Sequence, residues 1–298
     1  MKTLGITLAM TLTAVAVAAA QLPPATIGPV MPPEIAAQLR QIGPVVDPPG
    51  TARIYRPLHP RAPYDGATVT RDVSYGTDPR QTMDVFAPTV AGTVPRPVLI
   101  FVSGGAGNKI EPVPDGDAFY DNIGLWAVKN GMNAVNMQRL SGQGREPDAP
   151  ARDVGLVVQW VQQHIARYSG DPNRVFIWAH SAGNGPVGAY LARDETLPEK
   201  GHGLKGAVLM GGTMNILQAA NVPGLLKASV PLFVGAGELD LPGAVAFVDA
   251  LKNELCKANQ CPTTMIFKDH SHMSAVFSPN TADDTVTAPI LTWMQSVK

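Results

Sequence analysis

With only two cysteines in 298 residues, Cys256 and Cys261, the chain has no disulfide framework to hold it together. Neither cysteine sits in a His/Cys cluster with ligand spacing, so the sequence implies no metal site and no cofactor. An excess of charge is also missing: 23 Lys and Arg against 24 Asp and Glu leave a formal net charge of -1. Without a basic field, nucleic acid is excluded as an expected partner. Beyond the N-terminus, no run approaches the ~18 apolar residues needed to span a bilayer, and no internal repeat is visible. What is present is ordinary for a globular protein, 45% hydrophobic and 16% charged, and long enough for one large core.

The N-terminus reads as a processing segment. Lys2 precedes an apolar run over residues 4–18, which ends in Ala18-Ala19-Ala20 before Gln21 and Pro23-Pro24. That is the pattern of a secretory signal over residues 1–20 with an A-x-A cleavage site. An uncleaved anchor is the alternative, and the small residues and the prolines favour cleavage. The expectation is a secreted or periplasmic protein without stable membrane insertion. Export permits disulfides, and Cys256 and Cys261 lie close together between a predicted helix and strand. A bridge closing that short loop is expected, with two free thiols as the alternative.

Residues 21–65 form a proline-rich leader with one helical candidate, 33–42. Prolines fix the backbone and remove donors, so an extended segment wrapping the body is expected rather than an independent domain. From residue 66 onward the pattern becomes strands alternating with amphipathic helices. Strand candidates span 68–75, 83–86, 98–102, 134–138, 175–178, 206–210, 231–234 and 264–267. Thr77-Asp78-Pro79 reads as a hairpin connection between the first two. Helix candidates span 118–130, 151–168, 185–192, 241–255 and 283–297. In the second of these, Val154, Val157, Val158, Val161 and Ile165 follow a 3.6-residue period. Near-continuous apolar strands between helices predict an α/β doubly wound fold around a mostly parallel sheet.

The chemistry gathers around Arg174-Val-Phe-Ile-Trp-Ala-His-Ser-Ala-Gly-Asn184. An apolar strand stops at His180-Ser181-Ala182-Gly183 and is followed by a small-residue helical stretch. This is the pattern of a nucleophile elbow, in which a strained strand-to-helix turn presents a serine. Ala179 and Gly183 satisfy its need for small residues two before and two after Ser181. Upstream, Val98-Leu-Ile-Phe-Val-Ser-Gly-Gly-Ala-Gly107 is a strand running into a glycine-rich loop, without the Lys-Ser/Thr of a P-loop or G-x-G-x-x-G spacing. Backbone N–H groups of Gly105 and Ala106, with that of Ala182, are the candidate oxyanion donors. Downstream, Gly237-Glu-Leu-Asp240 follows a late strand and offers Asp240 as the acid, with Glu238 as the runner-up. After the last strand, Lys268-Asp-His-Ser-His-Met-Ser274 offers His270 and His272 as bases, in the chain order Ser, Asp, His. His59, His164 and His202 are expected to have surface roles. His180 is expected to point away from the site and shape the turn.

On these residues the chain resembles the bacterial carboxylesterase and lipase branch of the α/β-hydrolase superfamily. It is similar to the hormone-sensitive-lipase-like, feruloyl-esterase-like and arylformamidase-like enzymes. The carriers are Tyr75-Gly-x-Asp-Pro-Arg-Gln-x-Met-Asp-Val85, the Gly104-Gly105 loop, Trp160-Val-x-x-x-Ile165, and Gly170-Asp-Pro-Asn-Arg-Val-Phe-Ile-Trp-Ala-His-Ser-Ala-Gly183, with the acid and base segments. The resemblance covers residues 69–298 and implies an eight-stranded α/β-hydrolase domain over 66–298. It also implies a Ser-His-Asp triad and an acyl-enzyme intermediate. The family places its base just before a bulky residue and a Ser or Asp, which favours His272-Met273-Ser274 over His270. In place of a His-Gly-Gly-Gly-type oxyanion motif this chain has Ser103-Gly104-Gly105-Ala106.

The stretch between the strands ending near 210 and beginning near 231 is too short for a large lid. Cover over the site is left to the leader or to residues 108–121. An open site acting on small, accessible acyl or aryl esters is therefore expected. An amide hydrolase on the same scaffold and a non-catalytic binding protein with the same fold are the alternatives.

Overall fold

The computed structural model describes residues 31–114, 119–140, 146–193 and 203–298. The expected signal at 1–20 and the first part of the leader lie outside the described residues.

Eight strands form one sheet in the order β1-β2-β4-β3-β5-β6-β7-β8. They are β1 (Ala67–Ser74), β2 (Thr82–Pro88), β3 (Arg96–Val102), β4 (Asn133–Met137), β5 (Gly170–His180), β6 (Leu204–Met210), β7 (Leu232–Leu239) and β8 (Thr263–Ser271). The β1–β2 and β2–β4 pairs are antiparallel; the remaining five are parallel. Antiparallel pairing of β1 with β2 follows from the short turn the sequence puts between them, whereas each parallel neighbour needs a crossover. At the centre, Val175, Phe176, Ile177, Trp178 and Ala179 are all buried, which is why β5 reads as an unbroken apolar run.

Helices cover both faces. They are α1 (Pro33–Ile42), α2 (Pro48–Tyr55), α3 (Asp121–Lys129), α4 (Ala149–His164), α5 (Asn184–Ala192), α6 (Met214–Leu217), α7 (Val222–Ala228), α8 (Pro242–Lys257), α9 (Ser274–Phe277) and α10 (Thr287–Ser296). The periodic valines of α4 enter one core with Ile100, Ile177 and Leu209. On the opposite face Trp126, Trp178, Phe233 and Trp293 belong to the second core.

Two elements depart from the sequence expectations in ways that matter for the site. In the leader α1 has the expected bounds, but a second helix, α2, follows it. Asp47 caps α2 by accepting from Gly50 N–H at 2.9 Å, and two prolines open its first turn, where a missing N–H costs nothing. The prolines that read as helix breakers thus start this helix. Both helices enter the core through Ile35, Leu39, Ala52 and Tyr55. At the far end, the strands expected at 231–234 and 264–267 run on to Leu239 and Ser271. Glycines hid that extension, as the site explains.

Between Gly211 and Pro231 the chain forms α6, a short turn and α7. Cys256 and Cys261 are joined by a disulfide at the end of α8. Among the described residues, no helix is long and apolar enough to cross a membrane.

Candidate active site

Ser181 stands between the end of β5 and the first turn of α5, with φ at +51°. This left-handed conformation is costly for a residue with a side chain, and it is the strained turn that the elbow pattern requires. The turn packs against the end of β3. A Cβ at Gly183 would sit 2.5 Å from the Val102 carbonyl oxygen, so only glycine fits there. Asn184 secures the turn from the helix side: its Nδ2 donates to the Ser181 carbonyl at 2.7 Å and to the Met210 carbonyl at 3.0 Å.

His272 follows β8 directly. Its Nε2 lies 2.8 Å from Ser181 Oγ, and its Nδ1 lies 2.7 Å from Asp240 Oδ1. With a carboxylate beside it, Nδ1 carries the proton and donates to Asp240, which leaves the Nε2 lone pair to accept the Ser181 hydroxyl. Asp240 Oδ1 also accepts from Leu241 N–H at 2.7 Å, while its Oδ2 is buried without a hydrogen-bond partner. Both side chains are nearly shut off from solvent, whereas Ser181 is half-buried.

The meeting of these residues depends on the two hidden strand extensions. Past Phe267, β8 approaches β7 so closely that a Cβ at Gly237 would lie 2.1 Å from the His270 carbonyl oxygen. Glycine permits that approach, Leu239 pairs with Ser271, and the next residue of each strand is a member of the site.

The rival candidates lie elsewhere. Exposed Glu238 accepts from Asp269 N–H at 3.0 Å and, among the described residues, hydrogen-bonds to neither histidine ring. His270 is completely buried, with Nδ1 2.9 Å from Ser274 Oγ and Nε2 2.6 Å from Thr285 Oγ1. Burial pulls its pKa down to about 4, partly opposed by Asp283, so it is a neutral bridging group. Ser274 Oγ in turn accepts from Ser271 N–H at 2.8 Å, which fixes the backbone beside His272.

His180 differs from its expectation. Rather than turning away from the site, its ring packs 4.7 Å from that of His272, and its Nε2 lies 3.0 Å from the His272 carbonyl oxygen. Complete burial depresses its pKa well below the ordinary value, so it is neutral and donates from Nε2 to that carbonyl. His59 is likewise buried and not on the surface, with Nε2 2.8 Å from the Phe277 carbonyl oxygen.

The glycine-rich loop faces the elbow: a Cβ at Gly104 would sit 2.7 Å from Ser181 Cβ. Gly107 N–H donates to the Gly104 carbonyl at 2.8 Å, closing a turn with Gly105 and Ala106 at its centre. Among the described residues, neither the Gly105 nor the Ala106 N–H has an acceptor, and both residues are exposed. The Ala182 N–H belongs to the first turn after the elbow, where amides lack an intrahelical acceptor. Ser103, at the position of the family's histidine, donates from Oγ to the Asn108 carbonyl at 2.6 Å and so braces the loop's far end. Lys109 ties the following segment to the sheet edge through ion pairs with Asp72 and the buried Asp84.

Asn184, and Arg139, whose guanidinium donates to the Gly105 carbonyl at 3.0 Å, contact the elbow and the loop without having been singled out in the sequence for doing so. Asn184 lies within the elbow motif, and a polar side chain opening a small-residue helix was a usable signal. Arg139 carried none.

Residues 149–228 match the model of the carboxylesterase family. A probable isoprenylcysteine alpha-carbonyl methylesterase of Arabidopsis thaliana is 30% identical over 139 residues, covering 45% of this chain and 27% of the relative. Secreted lipase 5 of Gibberella zeae is 39% identical over 56 residues, covering 19% of this chain and 10% of the relative. The chain thus spans about a quarter or less of the length of these curated relatives. Among solved structures, esterase B from Lactobacillus rhamnosis superposes with a TM-score of 0.63 at 14% identity, covering 89% of this chain and 94% of that one. Sheet order and this likeness define an α/β-hydrolase fold. The stretch that matches the carboxylesterase model, residues 149–228, contains the elbow and Ser181.

Proposed function

We propose that the protein is a serine carboxylic ester hydrolase in which Ser181 is the nucleophile, His272 the general base and Asp240 the acid that orients it. The observation that carries this reading is the unbroken hydrogen-bond chain from Ser181 Oγ through His272 to Asp240, on an elbow held at positive φ.

Neutral His272 takes the Ser181 proton as Oγ attacks the ester carbonyl. Asp240 stabilises the imidazolium that forms. The carbonyl oxygen, now an oxyanion, accepts from the backbone N–H groups of Gly105, Ala106 and Ala182. His272 then gives its proton to the leaving alcohol, and water, activated by the same imidazole, releases the acid and regenerates Ser181. Loss of one such donor typically costs ~2.7–4 kcal/mol of transition-state stabilisation, so the loop ranks with the charges in importance.

With only α6 and α7 between β6 and β7, the substrates we infer are small, accessible acyl or aryl esters. Export through the N-terminal signal fits the disulfide, which an oxidising compartment preserves, and one relative is itself a secreted lipase. N-terminal sequencing of protein from the culture medium or periplasm is expected to begin near Gln21.

Hydrolysis of p-nitrophenyl acetate by the mature protein tests the mechanism. Activity that disappears in Ser181→Ala, with a serine-directed phosphonate labelling Ser181, is the expected result. Undiminished turnover in Ser181→Ala overturns it. An arylformamide assayed in parallel is expected to be the poorer substrate.

A further inference from the structure

The turn that carries the proposed oxyanion donors rests on a buried cation. Arg139 stands just beyond the end of β4 and is 6% exposed. Its Nη2 donates to the Gly105 carbonyl at 3.0 Å, and its backbone N–H donates to the Gly107 carbonyl at 2.7 Å. The guanidinium lies in space left by Gly107, where a Cβ would come 2.9 Å from Arg139 Cζ. Among the described residues no carboxylate forms an ion pair with it, and its Nε has no hydrogen-bond partner. Burial lowers its pKa, with Asp153 acting in the opposite sense. Removing a guanidinium from water is costly, and its bond to the Gly105 carbonyl is one compensation the geometry shows.

The local backbone indicates the role. The turn from Gly104 to Gly107 has φ at +49° on Gly105, whereas Ala106 is not left-handed. Positive φ at the first central position alone is the signature of a type II′ turn. The central peptide of such a turn, here Gly105–Ala106, is the unit that can rotate. Its flip would exchange carbonyl and N–H and make a type I′ turn, with positive φ on Ala106 as well. The peptide is trans, so its C=O and N–H point in opposite directions. While Arg139 holds the Gly105 carbonyl, the Ala106 N–H must face away from the guanidinium, on the side where it has no protein acceptor.

We propose that Arg139 is a positioning residue of the oxyanion hole. It locks the Gly105–Ala106 peptide in the orientation that presents the Ala106 N–H to the substrate oxyanion. A cation on the carbonyl oxygen also draws electron density from the amide and makes that N–H a stronger donor, as in any polarised hydrogen-bond chain. This inference rests on the reading of Ser181 as nucleophile and Ala106 as donor.

The test compares Arg139→Met, Arg139→Lys and Ser181→Ala with the parent enzyme. Steady-state p-nitrophenyl acetate hydrolysis, the Ki of an alkyl trifluoromethyl ketone and the thermal midpoint are measured for each. The ketone forms a hemiketal oxyanion on the serine, so its Ki reports on the hole directly. Arg139→Met is expected to lower kcat by roughly 10- to 100-fold, less than loss of a whole donor. KM should stay unchanged, and Ki should rise in parallel with the fall in kcat. Arg139→Lys, which keeps a charge but not the planar fork, should recover part of both. Added methylguanidinium should partly restore Arg139→Met. If Ser181→Ala is inactive while Arg139→Met keeps parental kcat and Ki, the positioning role is overturned and the triad stands. If Ser181→Ala keeps full activity, the underlying reading fails and this one with it. If Arg139→Met does not fold, a folded Arg139→Ala with parental kcat and Ki overturns the proposal equally.

Discussion

At the scale of single residues, the site is a set of groups whose roles follow from what each touches. Asp240 accepts from the His272 ring, whereas Glu238, two residues earlier, accepts from the Asp269 backbone. Asp240→Asn should therefore reduce kcat by roughly 10⁴-fold, because an amide in that position stabilises the wrong imidazole tautomer. Glu238→Gln should leave kcat at the parental level; equal losses in both variants would mean the acid had been misassigned. Strain is testable at the proposed nucleophile too. A left-handed residue with a Cβ costs about 1 kcal/mol or more relative to glycine. Ser181→Gly and Ser181→Ala should both be inactive, with the glycine variant more stable by about that amount in urea denaturation. The motif residues were legible in the sequence because strand, small residues and chain order all pointed to them. Arg139 was not, since the role proposed for it comes from a contact with Gly105, 34 residues earlier, that only the assembled sheet creates.

At the scale of elements, the periodic and apolar segments were readable, and the errors fall where a local rule met a tertiary contact. Glycines at 235 and 237 suggested that a strand had ended, yet they are what allows β8 to lie against β7. Prolines at 48 and 49 suggested extended chain, yet at the first turn of α2 they are tolerated. The leader shows the consequence. Fully buried Leu39 packs in the same core as Trp178 and Phe277, Arg40 pairs with Asp269, and Tyr55 donates to Asp283 Oδ2 at 2.9 Å. All of these contacts are with the body, and two of them reach the segment that carries His272. Leu39→Ala is expected to cost about 2–5 kcal/mol, as core truncations do. Val46→Ala, in the same leader but half exposed, should change stability by less than about 0.5 kcal/mol. Equal, small effects in a denaturant titration would mean that the leader only drapes over the surface.

At the scale of the whole molecule, three buried histidines couple folding to pH. His59 in the leader and His270 beneath the base are both depressed to about 4 by burial, and His180 beside the elbow is depressed well below its ordinary value. Each must stay neutral in the folded state, while the unfolded chain protonates it near its ordinary value of 6.5. Between those limits the unfolded state binds more protons, so stability rises with pH and is lost as pH falls. Above 6.5 the three terms are fully present and flat; below about 4, His59 and His270 protonate in both states and add no further slope. One proton per histidine corresponds to about 1.4 kcal/mol per pH unit, so the three together give at most about 4 kcal/mol per unit within the window. Urea midpoints measured at intervals across the window should fall steeply toward acid, and His59→Gln should make the slope shallower by about one proton. A slope unaffected by that substitution would mean that His59 is already protonated, or solvated, in the folded protein. The same three residues join leader, elbow and base loop through carbonyl and hydroxyl contacts, so their protonation would loosen the structure that positions Ser181 and His272. Loss of the proposed esterase activity on acidification should accordingly begin with a reversible loss of order around the loop that carries His272. Amide exchange at residues 270–277 should detect it at a pH where the central strand β5 is still protected.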